Sequence, residues 1–274
     1  IPFGPFVNHH HFPAFMEMTG GLTLGLLFGR RTGRDRKILL GFALVLMGAA
    51  IVLTGSRGGL LGMVAVGAFA AVLSLMGRRG AENPNLPNSR VGLGLLGVTL
   101  TLLTLGIVLF VGGGDSLLRG VGAGEISTDF SSGRLHFWPI ALKIFLAHPI
   151  LGTGIDSFGV AFTRYDTWNG MFRVEQAHND YLQILAEAGI AGFACMTAFV
   201  YLVFKKGLSL YRASHGFRRE AAIGALAGCF GILVHSFFDF PLRTPSNAFF
   251  FLLLCTVATV TVATSRKTKA ATEP

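Results

Sequence analysis

Charge is scarce in this sequence. Asp, Glu, Lys and Arg make up 14% of the 274 residues, against about 25% in an ordinary soluble domain. With 51% hydrophobic residues and a mean hydropathy of +0.59, the deficit points to a membrane protein. It speaks against a soluble enzyme, a DNA-binding module or a disordered chain. Cysteine is nearly absent. Cys195, Cys229 and Cys255 all lie inside apolar runs, so they make no disulfide or metal framework and read as small core hydrophobes. There is no internal repeat. What the chain has in quantity is glycine, 37 residues, and phenylalanine, 25 residues, a combination suited to packed transmembrane helices.

Seven apolar segments approach the roughly 20 residues needed to cross a bilayer. They run over 13–29, 38–54, 58–77, 91–112, 181–204, 221–238 and 247–264. Gly55-Ser56-Arg57 alone joins the second to the third and predicts a tight helical hairpin. The expected fold is all-α, a polytopic bundle of about seven spans with one large loop. Its parts are four spans in 1–112, the loop in 113–180, and three spans with a tail in 181–274.

The connections alternate in charge. Sixteen of the 23 basic residues fall on one side, from Arg30, Arg31, Arg34, Arg36 and Lys37 to the tail residues Arg266, Lys267 and Lys269. The other side holds seven: Arg57, Arg119, Arg134, Lys143, Arg164, Arg173 and Arg243. The positive-inside rule puts the first set in the cytoplasm and the loop outside. The net charge of +9 is therefore a topology signal and not a nucleic-acid footprint. In the loop, Leu135, Trp138, Leu142, Phe145 and Leu146 recur at helical spacing. Pro139 must kink that helix or sit in its first turn, and His148-Pro149 ends it. Gly152–Gly159 lacks the Lys-Ser/Thr of a P-loop and reads as a turn.

The strong polar features all stand at external mouths of spans. Asn8-His9-His10-His11 precedes the first, with Glu17 further in, and Ser56-Arg57-Gly58-Gly59 caps the hairpin. Arg134 opens the loop helix, and His178-Asn179-Asp180-Tyr181 leads into the fifth span, with Glu187 below. His235 and Asp239, four apart on one helical face, close the sixth near Arg243 and read as a structural pair. By topology these groups share one side and would line one cavity. Each also has a plainer role open to it. Arg57 would snorkel at a helix end, Arg134 would be a solvated charge, and His178 would bond nearby backbone. Glu17 and Glu187, costly near lipid, face a protein interior either as proton-relay groups or as carboxylates satisfied by packing. Adjacent histidines do not converge on one ion, so no metal is expected.

The ordered set resembles the O-antigen ligase and polymerase superfamily, the Wzy_C-like membrane glycosyltransferases. The matching stretches are Asn8-His9-His10-His11-Phe12 with Glu17, Ser56-Arg57-Gly58-Gly59, Gly133-Arg134 with Trp138-Pro139, and Pro149 to Gly154 with Ser157-Phe158. Ala177-His178-Asn179-Asp180-Tyr181 with Glu187 and Gly189, and His235 with Asp239-Phe240-Pro241, complete the set. One departure is His10, where the family more often has asparagine. Such proteins usually have ten or more spans, so a chain opening on Ile1 is expected to lack N-terminal ones. The resemblance implies a GT-C-like bundle and a metal-independent, cofactor-free, inverting glycan transfer on the periplasmic face of the bacterial inner membrane. The implied donor is a glycan on undecaprenyl pyrophosphate, and the acceptor a sugar hydroxyl of lipid A–core or of a growing chain. By motif, Arg57 and Arg134 would bind the pyrophosphate and His178 would be the base, with His11, Glu17, Asn179, Asp180, Glu187, His235 and Asp239 in support. Runner-up readings are repeat-unit polymerisation, oligosaccharide transfer to a protein hydroxyl, and transport driven by a Glu17, Glu187, His235 and Asp239 proton relay.

Overall fold

The computed structural model describes residues 10–29, 32–76, 133–168 and 173–261, together with Phe6 and Asn8. These residues form α1 (His11–Leu27), α2 (Arg34–Leu53), α3 (Arg57–Met76), α4 (Arg134–Ala147), α5 (Phe158–Thr163), α6 (Asp180–Ala213) and α7 (Phe217–His235). A 3₁₀ turn at Pro241–Arg243 leads into α8 (Pro245–Thr259). A helix stands at six of the seven expected spans, and 91–112 lies outside the described residues, as does the glycine stretch after it. Among the described residues, α2, α3 and α6 are long and apolar enough to cross a membrane, while α8 is apolar but shorter.

Two helices, α2 and α6, outrun their apolar segments. Arg34-Asp35-Arg36-Lys37 forms the first turn of α2, and α6 continues through Lys205, Lys206 and Arg212 to Ala213. Lys and Arg are good helix formers, and adding a residue to an existing helix costs little. Pro139 lies inside α4, in its second turn and not its first.

The main core lies where α1 and α3 pack on α7. Gly21 and Gly25 of α1 face Gly224 and Gly228 of α7 so closely that a Cβ on Gly21 would stand 2.5 Å from the Gly228 nitrogen. Small residues four apart let the two backbones touch, which is how helices associate without a hydrophobic drive between them. Met18, Leu226, Ile232 and Leu254 fill the space around this crossing. A second apolar cluster belongs to the loop: Phe137, Ile140, Ala141 and Ile144 of α4 close over Phe158, Phe162, Ala177 and Ala186.

The two parts are joined at a break in α6. Gly189 has φ 62° and ψ −164°, so the helical ladder stops there. The chain segment Pro149–Gly154 supplies the missing partners. Thr153 and Gly154 donate N–H bonds to the Ala186 and Glu187 carbonyls at 3.0 and 2.9 Å. Ile190 and Ala191 donate to Pro149 and Ile150 at 2.8 and 3.2 Å. Every backbone group freed in an apolar setting needs such a partner. The expected turn at Gly152 is thus a plug for a broken helix. Its approach is possible because Gly152 and Gly189 meet back to back, both at positive φ and both without room for a Cβ.

Candidate active site

Three helix starts and one helix exit meet at a single turn, His235–Phe240. At the first start, Ser56 Oγ accepts the Gly59 N–H at 3.1 Å. This N-cap, of the usual serine type, makes Arg57 the first residue of α3. Gly58 then packs on the turn: a Cβ there would stand 2.7 Å from His235 Cδ2 and 3.3 Å from Phe238 Cβ. At the second start, Gly133 is left-handed, and Arg134 reaches across to the same turn. Its Nε and Nη2 donate to the Phe238 carbonyl at 3.0 and 2.7 Å.

The third start carries His178. Asn179 caps α6, its Oδ1 accepting from Tyr181 and Leu182, while its Nδ2 donates to the Phe237 carbonyl at 3.1 Å. The Asp180 N–H donates to the Ser236 carbonyl, Ser236 Oγ donates back to Asp180 Oδ2, and Tyr181 Oη donates to the Leu233 carbonyl. Asn179 and Asp180 are therefore the stitching between α6 and the exit of α7. On the other side, Ala177 is gripped by Trp138 Nε1, which donates to its carbonyl, and by Gln183 Oε1, which accepts its N–H. Between these anchors His178 adopts φ 50°. A left-handed non-glycine residue is an uncommon conformation that persists where its surroundings over-determine it.

The His178 ring is held as firmly as its backbone. Nδ1 lies 3.1 Å from Asp239 Oδ1, Phe240 meets the ring edge-on at 4.9 Å, and Phe137 stacks at 6.0 Å. Burial, the largest single influence, would raise the Asp239 carboxyl, but the hydrogen bond with His178 and the charges of His178, His235 and His10 together outweigh it and hold the group at about 2. An ionised carboxylate only accepts, so Nδ1 is the donor of this bond, and the neutral form of the ring paired this way carries its lone pair on Nε2. His178, Arg57 and Arg134 are all half-buried, within reach of a ligand.

His235 and Asp239 do not pair with each other as expected. The helix ends at His235 and continues as a turn in which the Asp239 N–H still bonds the His235 carbonyl at 3.2 Å, but the two side chains take other partners. Asp239 takes His178, and His235 Nδ1 meets Glu17 Oε1 at 2.8 Å in full burial. His11 Nδ1 lies 2.6 Å from Thr244 Oγ1, with Phe240 at the edge of its ring. Glu187 is occupied too. It accepts from the Asp156 and Phe158 N–H groups and from Gln183, and pairs with Arg243. It thus serves the plug at Gly152 and lies away from the His178 ring's own contacts.

Arg243, which the sequence marks only as an outer-face charge, lines a cleft of about 490 Å³ beside the turn, with Asp156, Gln176, Asp180, Tyr181 and Ser236. Ile184, Met196, Leu233 and Leu242 form its apolar wall. The signal in the sequence was position: Arg243 stands two residues after Pro241, past the Asp239-Phe240-Pro241 stretch.

The family model described as O-antigen ligase matches residues 42–197, which take in Arg57, Arg134, His178 and Glu187. Comparison with curated proteins finds no match. The family match spans more than half of the 274 residues, and the chain belongs to the O-antigen ligase family, glycosyltransferase-like membrane enzymes of polysaccharide assembly.

Proposed function

We propose that this chain transfers a glycan from an undecaprenyl-pyrophosphate donor to a sugar hydroxyl of lipid A–core or of another glycan, at the periplasmic face of the bacterial inner membrane. The observation that carries the reading is the His178–Asp239 pair at 3.1 Å on the turn that also receives Arg134 and Gly58. In the proposed step the acceptor oxygen attacks the anomeric carbon and loses its proton to His178 Nε2. The bond from that carbon to the pyrophosphate oxygen breaks, and the electron pair leaves with the lipid pyrophosphate. A single displacement inverts the anomeric centre. Arg57 and Arg134 offer planar, permanently charged donors to the leaving phosphate oxygens. Both stand at helix N-termini, whose positive dipole ends add partial positive charge where the anion develops. No residue role in this step calls for a metal or a cofactor.

The remaining spans of the proposed seven are α1, α7, α8 and 91–112, oriented by the 16-to-7 division of basic residues. A transport relay finds less support. Glu17 with His235, His178 with Asp239, and Glu187 with Arg243 form three separate pairs. Polymerisation would differ only in the acceptor.

The test is transfer by the purified protein in nanodiscs, with lipid-linked donor and lipid A–core or free glycan acceptor. His178→Ala should keep donor binding and slow transfer by about 10²–10⁴-fold, and chelator should leave the rate unchanged. Near-normal turnover in His178→Ala would remove the proposed base.

A further inference from the structure

We propose that the open face of Trp168 is a stacking platform for a pyranose ring of the glycan. This sugar subsite rests on the transfer reaction proposed above. Trp168 is 45% exposed, yet it is firmly mounted. His136 lies flat against the indole, with centroids 4.2 Å apart and planes within 5°. Asp166 Oδ1 accepts from His136 Nε2 at 2.8 Å and from the Trp168 N–H at 3.1 Å. One carboxylate oxygen therefore fixes both the backbone of the tryptophan and the ring beneath it. The hydrogen bond from His136 also holds the Asp166 carboxyl below its usual range, so Asp166 stays an acceptor.

Phe137 meets the indole edge-on at 5.8 Å and stacks along His178 at 6.0 Å. The platform is thus one aromatic ring removed from the proposed base, a spacing that suits neighbouring units of one glycan. With one face on His136, the indole turns its other face to solvent. The flat C–H face of a pyranose fits such a surface, its hydroxyls remaining hydrated at the rim. A ring already locked in place loses little side-chain freedom on binding. A tryptophan serving as a membrane anchor would keep company with apolar residues. Here the exposed apolar stripe of α4, Leu135, Leu142 and Leu146, lies about 100° round the helix from His136.

The experiment uses the full protein in nanodiscs. Donor and acceptor are titrated separately, and the free oligosaccharide released from its lipid carrier is the binding probe. Trp168→Ala should raise KM for the glycan substrate that stacks by about tenfold, the scale of one aromatic pair, with kcat within about twofold. Trp168→Tyr should recover most of the loss. The oligosaccharide should change the tryptophan emission of the parent protein and not that of Trp168→Phe, which retains Trp138. Unchanged KM for both substrates with unchanged emission overturns the platform. So does quenching of Trp168 by brominated lipids with no response to sugar, which would make it a membrane anchor. If the Ala variant fails to fold, Trp168→Tyr and the emission of the parent protein still decide. A parent protein that responds to sugar but transfers nothing would keep the platform and defeat the transfer reaction instead.

Discussion

His178 and Asp239 hold each other across 61 positions of sequence at 3.1 Å. The pair is the seam between two pieces of the molecule. His178 precedes the helix that the loop plugs, and Asp239 follows the helix that α1 and α3 enclose. Anything that shifts one piece against the other shifts the ring.

Asp239→Asn should keep the shape of this contact and lose its charge. An amide can donate to Nδ1 and so favour the wrong tautomer, leaving no lone pair on Nε2. We expect kcat to fall by about 10²–10⁴-fold, by comparison with other misoriented histidine bases, with donor binding retained. Transfer rates alongside donor-binding isotherms check this, and an unchanged kcat would separate Asp239 from the base.

The same pair should shape acid stability. The Asp239 carboxyl is depressed from 3.8 to about 2 on folding. A depressed carboxyl contributes stability that is complete above its unfolded value and is lost as pH falls through its folded one. The contribution should be about 2 kcal/mol, present above about pH 4 and lost toward pH 2. Thermal unfolding in detergent across that window should fall less steeply for Asp239→Asn than for the parent protein.

Arg57→Lys and Arg134→Ala test the phosphate side. Lysine keeps the charge at position 57 but loses the planar fork, so transfer should suffer although the change looks conservative. Arg134→Ala also removes both bonds to the Phe238 carbonyl. We expect it to lose about 2–4 kcal/mol of transition-state stabilisation, read from kcat/KM for the donor. Wild-type donor use in both variants would defeat the assignment.

Gly189→Ala should be disruptive out of proportion to its size. A Cβ there would stand 2.4 Å from both carbon and oxygen of the Ile150 carbonyl, at φ 62°. Neither group can yield without breaking the plug. A loss of at least about 1–3 kcal/mol is expected from backbone strain alone, seen as a lower Tm and faster proteolysis within 149–175. An unchanged Tm would mean that α6 does not need the break.

Topology is checked by reporter fusions. Fusions after Arg36, Arg79, Arg212 and Lys267 should report cytoplasm, and fusions within 115–175 periplasm. A cytoplasmic signal from the latter would put the site on the wrong side for the donor.

Hydropathy and charge alternation are local properties, so the sequence by itself determined where helices stand. The short connection at Gly55–Arg57, the loop helix from Arg134 and the apolar runs under α2, α3 and α6 were all readable as strings. The motif order also singled out Arg134 and His178, which the fold brings to one turn, and Arg57, whose neighbour Gly58 packs on that turn. Partner choice was not readable. Whether Asp239 would meet His235 or His178 depended on Asn179 and Asp180 stitching the start of α6 to the turn, and whether His235 would find Glu17 depended on glycines letting α1 lie against α7. The break at Gly189 was equally hidden, because an apolar run looks the same whether its hydrogen bonds are its own or borrowed from Pro149–Gly154. Such pairings are settled by burial, where each polar group takes whichever partner the packed backbones leave within reach.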